Sequence, residues 1–183
     1  MGSSITLERI LSETIPLSQH PWAWMFMDND KLPRPEYLDQ IFPLNASASS
    51  FLWKYSDLIK LGRYAPDSGR YFRSHKRLVF GNGMERDVKK WLFQCGVPFD
   101  TPVFIPFQPD VAFAMTWKML IRYSADLFFG HDLVVWDAST NWALYYDHND
   151  VFYFAWDRIY DGEQEKLDLD ELIRSLTNGA IGT

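Results

Sequence analysis

The sequence contains one cysteine, Cys95, among its 183 residues. A single cysteine permits no internal disulfide, and no group of Cys and His residues has the spacing of a zinc site. Its neighbours are apolar and offer no charge that would favour a thiolate, so we expect an inert, packed thiol. A chain without disulfides is typical of a reducing compartment, and we expect a cytoplasmic protein.

Segments that would enter or cross a membrane are also lacking. The longest apolar stretch, residues 111–129, is interrupted by Lys118, Arg122 and Asp126, and charged side chains are costly at bilayer depth. The first fifteen residues contain Glu8 among other charges and have no apolar signal-peptide region. The sequence therefore predicts neither a membrane span nor a secretory signal.

Positively charged side chains are fewer than negatively charged ones, with 18 Lys and Arg against 24 Asp and Glu. The net charge is −6 and the isoelectric point is about 5.1, which argues against a protein that neutralises many phosphates. Hydrophobic residues, in contrast, make up 47% of the chain and aromatic residues 17%. A chain of this length and composition is expected to fold as one domain over residues 1–183 and to bury about 70% of its unfolded surface.

Residues 110–128 give the strongest helix prediction. Asp110 directly follows a proline and is a good N-cap candidate, and the apolar residues after it would cover nearly the whole helix surface. Lys118, Arg122 and Asp126 are spaced by four and would form its only polar stripe. We therefore expect a central buried helix, preceded by further N-terminal helices near residues 6–14, 35–42, 46–61 and 84–95, with a short strand at residues 22–26.

Three β-prone runs follow, at residues 133–136, 142–146 and 151–156. Turn-forming Asp, Asn, Ser and Thr residues separate them, which predicts an antiparallel meander. Helices early in the chain and a meander late are typical of the α+β class. The predicted fold is a single α+β domain, with the meander packed against the central helix and the N-terminal helices around it.

Residues 63–83 combine positive charge with aromatic rings and contain little that suggests core. We predict a flexible basic loop here, with an edge strand near residues 77–80, and a loose tail at residues 178–183. Arginine and tyrosine are common at protein interfaces. The candidate partner-binding residues are Arg63, Arg70, Tyr71, Phe72, Arg73, Lys76 and Arg77. The alternative is that this segment pairs with the acidic residues between 157 and 171.

The turns of the meander contain the residues best suited to chemistry. Asp137, Asp147, His148 and Asp150 could converge at the sheet ends and bind a divalent metal. His131 and Asp132 could likewise form an acid–base pair, although no nucleophile is indicated. Asp and Asn are also the residues that turns require for their own geometry. We therefore expect no catalytic residue, no metal and no cofactor.

Residues 105–156 resemble a known group of proteins. The resemblance rests on the runs Pro-Asp-Val-Ala-Phe-Ala-Met-Thr-Trp-Lys and Asp-Leu-Val-Val-Trp-Asp-Ala-Ser-Thr-Asn-Trp-Ala-Leu-Tyr-Tyr-Asp-His. This segment is similar to small bacterial proteins of the polymorphic-toxin immunity type. The resemblance implies a cytoplasmic, non-enzymatic protein that binds another protein, and it transfers no functional residue.

The leading hypothesis is a small bacterial cytoplasmic protein that binds a protein partner, as an immunity-type inhibitor binds its toxin. One alternative is a metal-dependent enzyme that uses the carboxylates of the meander turns. The other is a nucleic-acid-associated module in which the basic loop contacts phosphates and its tyrosines stack on bases.

Overall fold

A computed structural model describes residues 5–28, 31–61, 71–159 and 162–179. Its strands are β1 (Ile41–Pro43), β2 (Phe72–Val79), β3 (Pro102–Gln108), β4 (Val111–Thr116), β5 (Leu133–Asp137), β6 (Trp142–Asp147) and β7 (Val151–Arg158). Its α-helices are α1 (Pro35–Leu38), α2 (Ala46–Leu58), α3 (Glu85–Phe93), α4 (Trp117–Arg122), α5 (Ser124–Leu127) and α6 (Gly162–Gly179). Short 3₁₀ helices span Leu7–Ser12, Leu17–Gln19 and Ala23–Phe26.

The described strands form a seven-stranded sheet in the order β1-β4-β3-β5-β6-β7-β2. Every neighbouring pair is antiparallel, which confirms the α+β class and the predicted meander of β5, β6 and β7. The helices predicted at residues 46–61 and 84–95 are confirmed as α2 and α3. The helix predicted at residues 35–42 is limited to Pro35–Leu38, because Ile41–Pro43 form β1 and pair with β4. The helix predicted at residues 6–14 is the 3₁₀ helix Leu7–Ser12. None of the helices in the described residues is long and apolar enough to cross a membrane.

The sheet is covered on both faces, so the molecule has three layers. On one face α3, α4 and α5 pack with large side chains such as Ile105, Phe113 and Phe152. On the other face α2 and α6 pack over smaller residues such as Ala112 and Ala143. Successive residues of a strand point to opposite faces, and both sets of alternate positions are apolar here because both faces are buried. These two faces are called the α3 face and the α2 face below.

The single helix predicted over residues 110–128 is wrong. Residues 111–116 are strand β4, in which every residue is buried, and the helical part is limited to the short α4 and α5. A strand that is buried on both faces has no alternation of apolar and polar residues, and periodicity cannot separate it from a buried helix. Thr116 then starts α4, because its Oγ1 accepts a hydrogen bond from the Met119 N–H at 3.4 Å.

Three smaller predictions also need correction. The strand expected at residues 22–26 is the 3₁₀ helix Ala23–Phe26, whose buried residues do not alternate. The predicted edge strand near residues 77–80 exists, but β2 covers Phe72–Val79 and occupies much of the predicted loop. Residues 62–70 of that loop lie outside the described residues. The helix α6 continues to Gly179, so residues 178 and 179 are not part of a loose tail, and residues 180–183 lie outside the described residues.

The stability of a Trp117 variant tests where the core lies. Its side chain is 0% exposed, and its ring packs edge-on against Trp142 with centroids 5.5 Å apart. Trp117→Ala should lower the free energy of unfolding by about 3–5 kcal/mol, the range for large aromatic truncations in cores. The control is Trp24→Ala, since Trp24 is 54% exposed and should cost less than about 1 kcal/mol. Equal losses in denaturant titrations of the two variants would contradict this placement.

Candidate functional site

The alternation of β2 divides the predicted basic segment between the two faces of the sheet. Arg73, His75 and Arg77 are exposed, whereas Lys76, which lies between them along the chain, is half-buried. His75 is paired with Ala155, which belongs to the α2 face, and Lys76 is paired with Phe154, which belongs to the α3 face. The positive charges therefore do not form one continuous patch.

Lys76 has a structural role on the α3 face. Its ammonium donates a hydrogen bond to the Gln94 carbonyl oxygen at 2.7 Å. It also lies 5.3 Å from the centre of the Trp91 ring and 5.7 Å from that of Phe154, distances at which a cation is attracted to an aromatic face. Lys76 thus joins β2 to the end of α3 and is not available as a free contact.

Other members of the predicted binding set are also placed differently from the expectation. Phe72 is 2% exposed and belongs to the core of the α2 face, so a partner does not reach its ring. Tyr71 is half-buried against the same core. Arg63 and Arg70 lie outside the described residues. Of the predicted set, Arg73 and Arg77 are the described members with exposed side chains.

Arg73, His75 and Arg77 are the exposed basic residues of β2, and we call these three residues the basic edge. His75 and Arg77 lie on the α2 face. Arg77 is paired with Tyr153, and Tyr153 with Tyr145, so one arginine and two tyrosines form a row across three strands. In the described part of the chain, the ion pairs involve neither Arg73 nor Arg77. These two arginines therefore form no ion pair with the described acidic side chains of the region 157–171.

The residues of the meander turns separate into two groups. Asp137 stabilises its own turn, because its side chain accepts hydrogen bonds from the Ser139 N–H at 2.9 Å and from Trp142 Nε1 at 2.9 Å. At the opposite end of β6, His148 meets Asp132. Asp132 Oδ1 accepts from the His148 backbone N–H at 3.0 Å and lies 2.7 Å from its ring Nδ1. The predicted metal set of four residues is thus not brought together.

The pair of Asp132 and His148 is a contact that the sequence analysis did not identify. The two residues are 16 apart in the chain. The sequence suggests His131 as the partner of Asp132 and the turn aspartates as the partners of His148. The predicted meander contained the signal for this contact, because Asp132 directly precedes β5 and His148 directly follows β6. The register that pairs Leu133 with Tyr146 brings these two positions together.

Asp132, Asp147 and His148 each place one possible metal-ligand atom within 4.8 Å of the others. Asp147 Oδ1 also accepts a hydrogen bond from the Asn149 N–H at 2.8 Å, as turn aspartates commonly do. Hydrogen bonds within the turn therefore explain why these residues lie close together. The expectation that the chain binds no metal stays a prediction.

Hydrogen bonding to Asp132 raises the pKa of His148 above its usual value. The backbone N–H and the side chain of His148 in turn lower the pKa of Asp132. Beside the pair lies a cavity of about 290 Å³, lined by aromatic rings and by His148 and Asp150. The end of the β6–β7 hairpin thus combines an oriented imidazole with a concave aromatic surface.

Comparison with family models, with curated proteins and with solved structures finds no match for this chain.

Titration of the His148 ring tests the pair. In Asp132→Asn the ring loses its anionic acceptor, so the pKa of His148 should fall back towards the usual histidine value. His131→Gln, next in sequence to Asp132, serves as the control and should leave the titration of His148 nearly unchanged. NMR titration of the imidazole resonances measures both. An unchanged pKa in Asp132→Asn would show that the contact is absent in solution.

The same pair sets a pH window for the order of this turn. Because the pKa of His148 is raised on folding, its contribution is present below the usual histidine pKa and is lost as pH rises through the raised value. Because the pKa of Asp132 is lowered, the contribution is also lost as pH falls through that lowered value. The His148 N–H donates to Asp132, so its protection from exchange, relative to the intrinsic rate at each pH, should be greatest between the two values and smaller on either side. Protection with the same pH dependence in Asp132→Asn would contradict the coupling.

Proposed function

We propose that this chain is a small bacterial cytoplasmic protein that binds a protein partner through the basic edge on β2. The observation that carries the proposal is the exposure of Arg73, His75 and Arg77 along one strand, with neither arginine in an ion pair among the described residues. The strand holds these side chains in place, and in the described part of the chain no acidic side chain forms an ion pair with either arginine. They are therefore available to a partner of opposite charge.

The position of β2 at the sheet edge adds a second kind of contact. Within the described residues, β2 pairs with β7 on one side and with no strand on the other. An edge strand presents backbone N–H and C=O groups to which an extended segment can be added. The partner we propose is an acidic, extended segment of another protein, with its carboxylates on Arg73 and Arg77, since arginine binds carboxylates with two parallel hydrogen bonds.

Charge favours a protein over a nucleic acid as this partner. The chain carries a net charge of −6, which repels a nucleic acid, with a charge on every phosphate, more strongly than a short segment with a few carboxylates. The described basic edge offers two arginines, whereas nucleic-acid affinity comes largely from neutralising several phosphates. Tyr153, which lies beside Arg77, would also suit base stacking, so RNA binding is the outcome that a test must distinguish.

The resemblance of residues 105–156 to immunity-type proteins suggests what the partner is. On that basis the partner is a toxin, and the chain acts by covering part of its surface. This step depends on the resemblance alone, whereas the location of the basic edge depends on the structure. The two parts of the proposal can therefore be tested separately.

The test is charge reversal on opposite faces of the sheet. Arg73→Glu/Arg77→Glu changes the basic edge, and the matched control Arg86→Glu/Lys118→Glu makes the same change in net charge at exposed positions of α3 and α4. A protein captured from the native host is identified and purified, and its binding to all three proteins is measured by surface plasmon resonance. We expect at least tenfold weaker binding for the β2 variant, mainly through slower association, and less than a twofold change for the control.

Three results would contradict the proposal. The first is equal loss of binding in both variants, which would indicate a general charge effect. The second is unchanged binding in the β2 variant. The third is binding of RNA, with an affinity that falls linearly against salt concentration on logarithmic axes and a slope that is flattened in the β2 variant. Melting temperatures of all three proteins should agree, because the exchanged side chains are exposed.

A further inference from the structure

We infer that the cavity between α3, α5 and the β6–β7 turn binds an organic ammonium group. This site is distinct from the basic edge, because Val88, Phe128 and Phe152, which line it, belong to the α3 face of the sheet. In the basic edge, His75 and Arg77 lie on the α2 face. The two proposals therefore rest on different residues and can fail independently.

Aromatic rings make up much of the cavity wall, namely Phe80, Phe128, Phe129, Tyr146 and Phe152. They hold one another in place. Phe80 stacks on Phe152 with centroids 5.1 Å apart, and Phe128 meets Phe152 edge-on at 4.8 Å and Tyr146 at 5.5 Å. Several rings around one space attract a cation through their electron-rich faces, as in sites that recognise quaternary ammonium groups.

The charges at the cavity have the sign that a cation requires. Its described lining contains the carboxylates of Glu85 and Asp150 and contains no lysine or arginine. His148 also lines the cavity, and the Asp132 carboxylate, 2.7 Å from its Nδ1, offsets the charge of the protonated ring. Asp147 Oδ1 lies 3.9 Å from the same nitrogen, so the carboxylates around the cavity outnumber its cationic group. These carboxylates would repel an anionic ligand, and an uncharged apolar ligand would gain no electrostatic attraction from them. The combination of rings and carboxylates therefore favours a cation with an apolar surface.

The size of the cavity restricts the ligand to a small group. Its volume of about 290 Å³ is at the lower end of the range for small-molecule sites. A trimethylammonium group fits this description, either in a free small molecule such as choline or at the end of a methylated lysine side chain. Both sources share the same chemistry, and they can be distinguished by experiment.

The first experiment compares a cation with its neutral isostere. Binding of choline and of 3,3-dimethylbutan-1-ol, which has the same shape without the charge, is followed by calorimetry and by NMR shifts of the aromatic side chains. We expect saturable binding of choline, with an affinity at least tenfold higher than that of the alcohol. Equal affinities, or no saturable shift with choline or with the trimethyllysine peptide described next, would overturn the inference.

The second experiment identifies the source of the ammonium group. A short peptide with trimethyllysine and the same peptide with unmodified lysine are titrated into the protein beside choline. Tighter binding of the methylated peptide than of choline assigns the site to a protein side chain, and the reverse assigns it to a free small molecule. Either result supports a quaternary ammonium site. Preference for the unmodified peptide would contradict it.

Variants then locate the binding in this cavity. Glu85→Gln/Asp150→Asn removes two charges from the lining, and asparagine tolerates the positive φ of 61° at position 150. Glu36→Gln/Asp87→Asn removes two exposed charges outside the lining and is the matched control. We expect at least fivefold weaker choline binding in the first variant and less than a twofold change in the control. Equal losses would show only a general charge effect.

Phe129→Leu provides a test of the aromatic wall. Phe129 is 41% exposed, so the substitution should leave the melting temperature almost unchanged while it removes one ring from the lining. Choline binding should fall at least threefold, because an aliphatic side chain lacks the ring quadrupole. Full retention of binding in this variant and in Glu85→Gln/Asp150→Asn would place the choline site elsewhere and overturn the inference.

Discussion

The pairing of β2 with β7 determines where the side chains of β2 point. Its register places Arg77 opposite Tyr153 and Lys76 opposite Phe154. A shift by one residue would exchange the two faces of β2. Lys76 would then lose its hydrogen bond at the end of α3, and Arg77 would point towards α3. The ladder ends where the Phe80 N–H donates to the Asp150 carbonyl oxygen at 3.0 Å, which also fixes two residues that line the cavity. Both proposed sites therefore depend on this one pairing.

Burial of both faces of the sheet explains why these sites lie at its edge and at a turn. The central strands β3, β4 and β5 are almost entirely buried, and their side chains are used for packing. On the α2 face the small residues Ala112 and Ala114 lie in the core beneath α2. Positions free to carry charge remain on β2, at the hairpin ends and on the outer sides of helices. The central strands are thus used for packing, and both proposed sites lie at the periphery of the sheet.

The sequence allowed the α+β class, the meander and helices such as α2 to be predicted, because these elements have clear periodicity and turn residues. It misplaced β4, since six consecutive buried residues look the same in a central strand and in a buried helix. It predicted a basic segment at these residues, but whether Lys76 or Arg77 faces solvent depends on register, which composition does not encode. The contact between Asp132 and His148 could not be predicted for the same reason, because it exists only after β5 and β6 pair.

The most direct test of this account is a cross-link that reports the register of β2. In a Cys95→Ala background, Arg77→Cys/Tyr153→Cys places two thiols directly opposite each other on one face, within the reach of a disulfide. Lys76→Cys/Tyr153→Cys places them on opposite faces and is the control. Under mild oxidation, mass spectrometry should detect the disulfide in the first protein and not in the second. A disulfide that forms in the second protein and fails in the first would show a register shifted by one residue, with Lys76 on the face that Arg77 occupies in this structure.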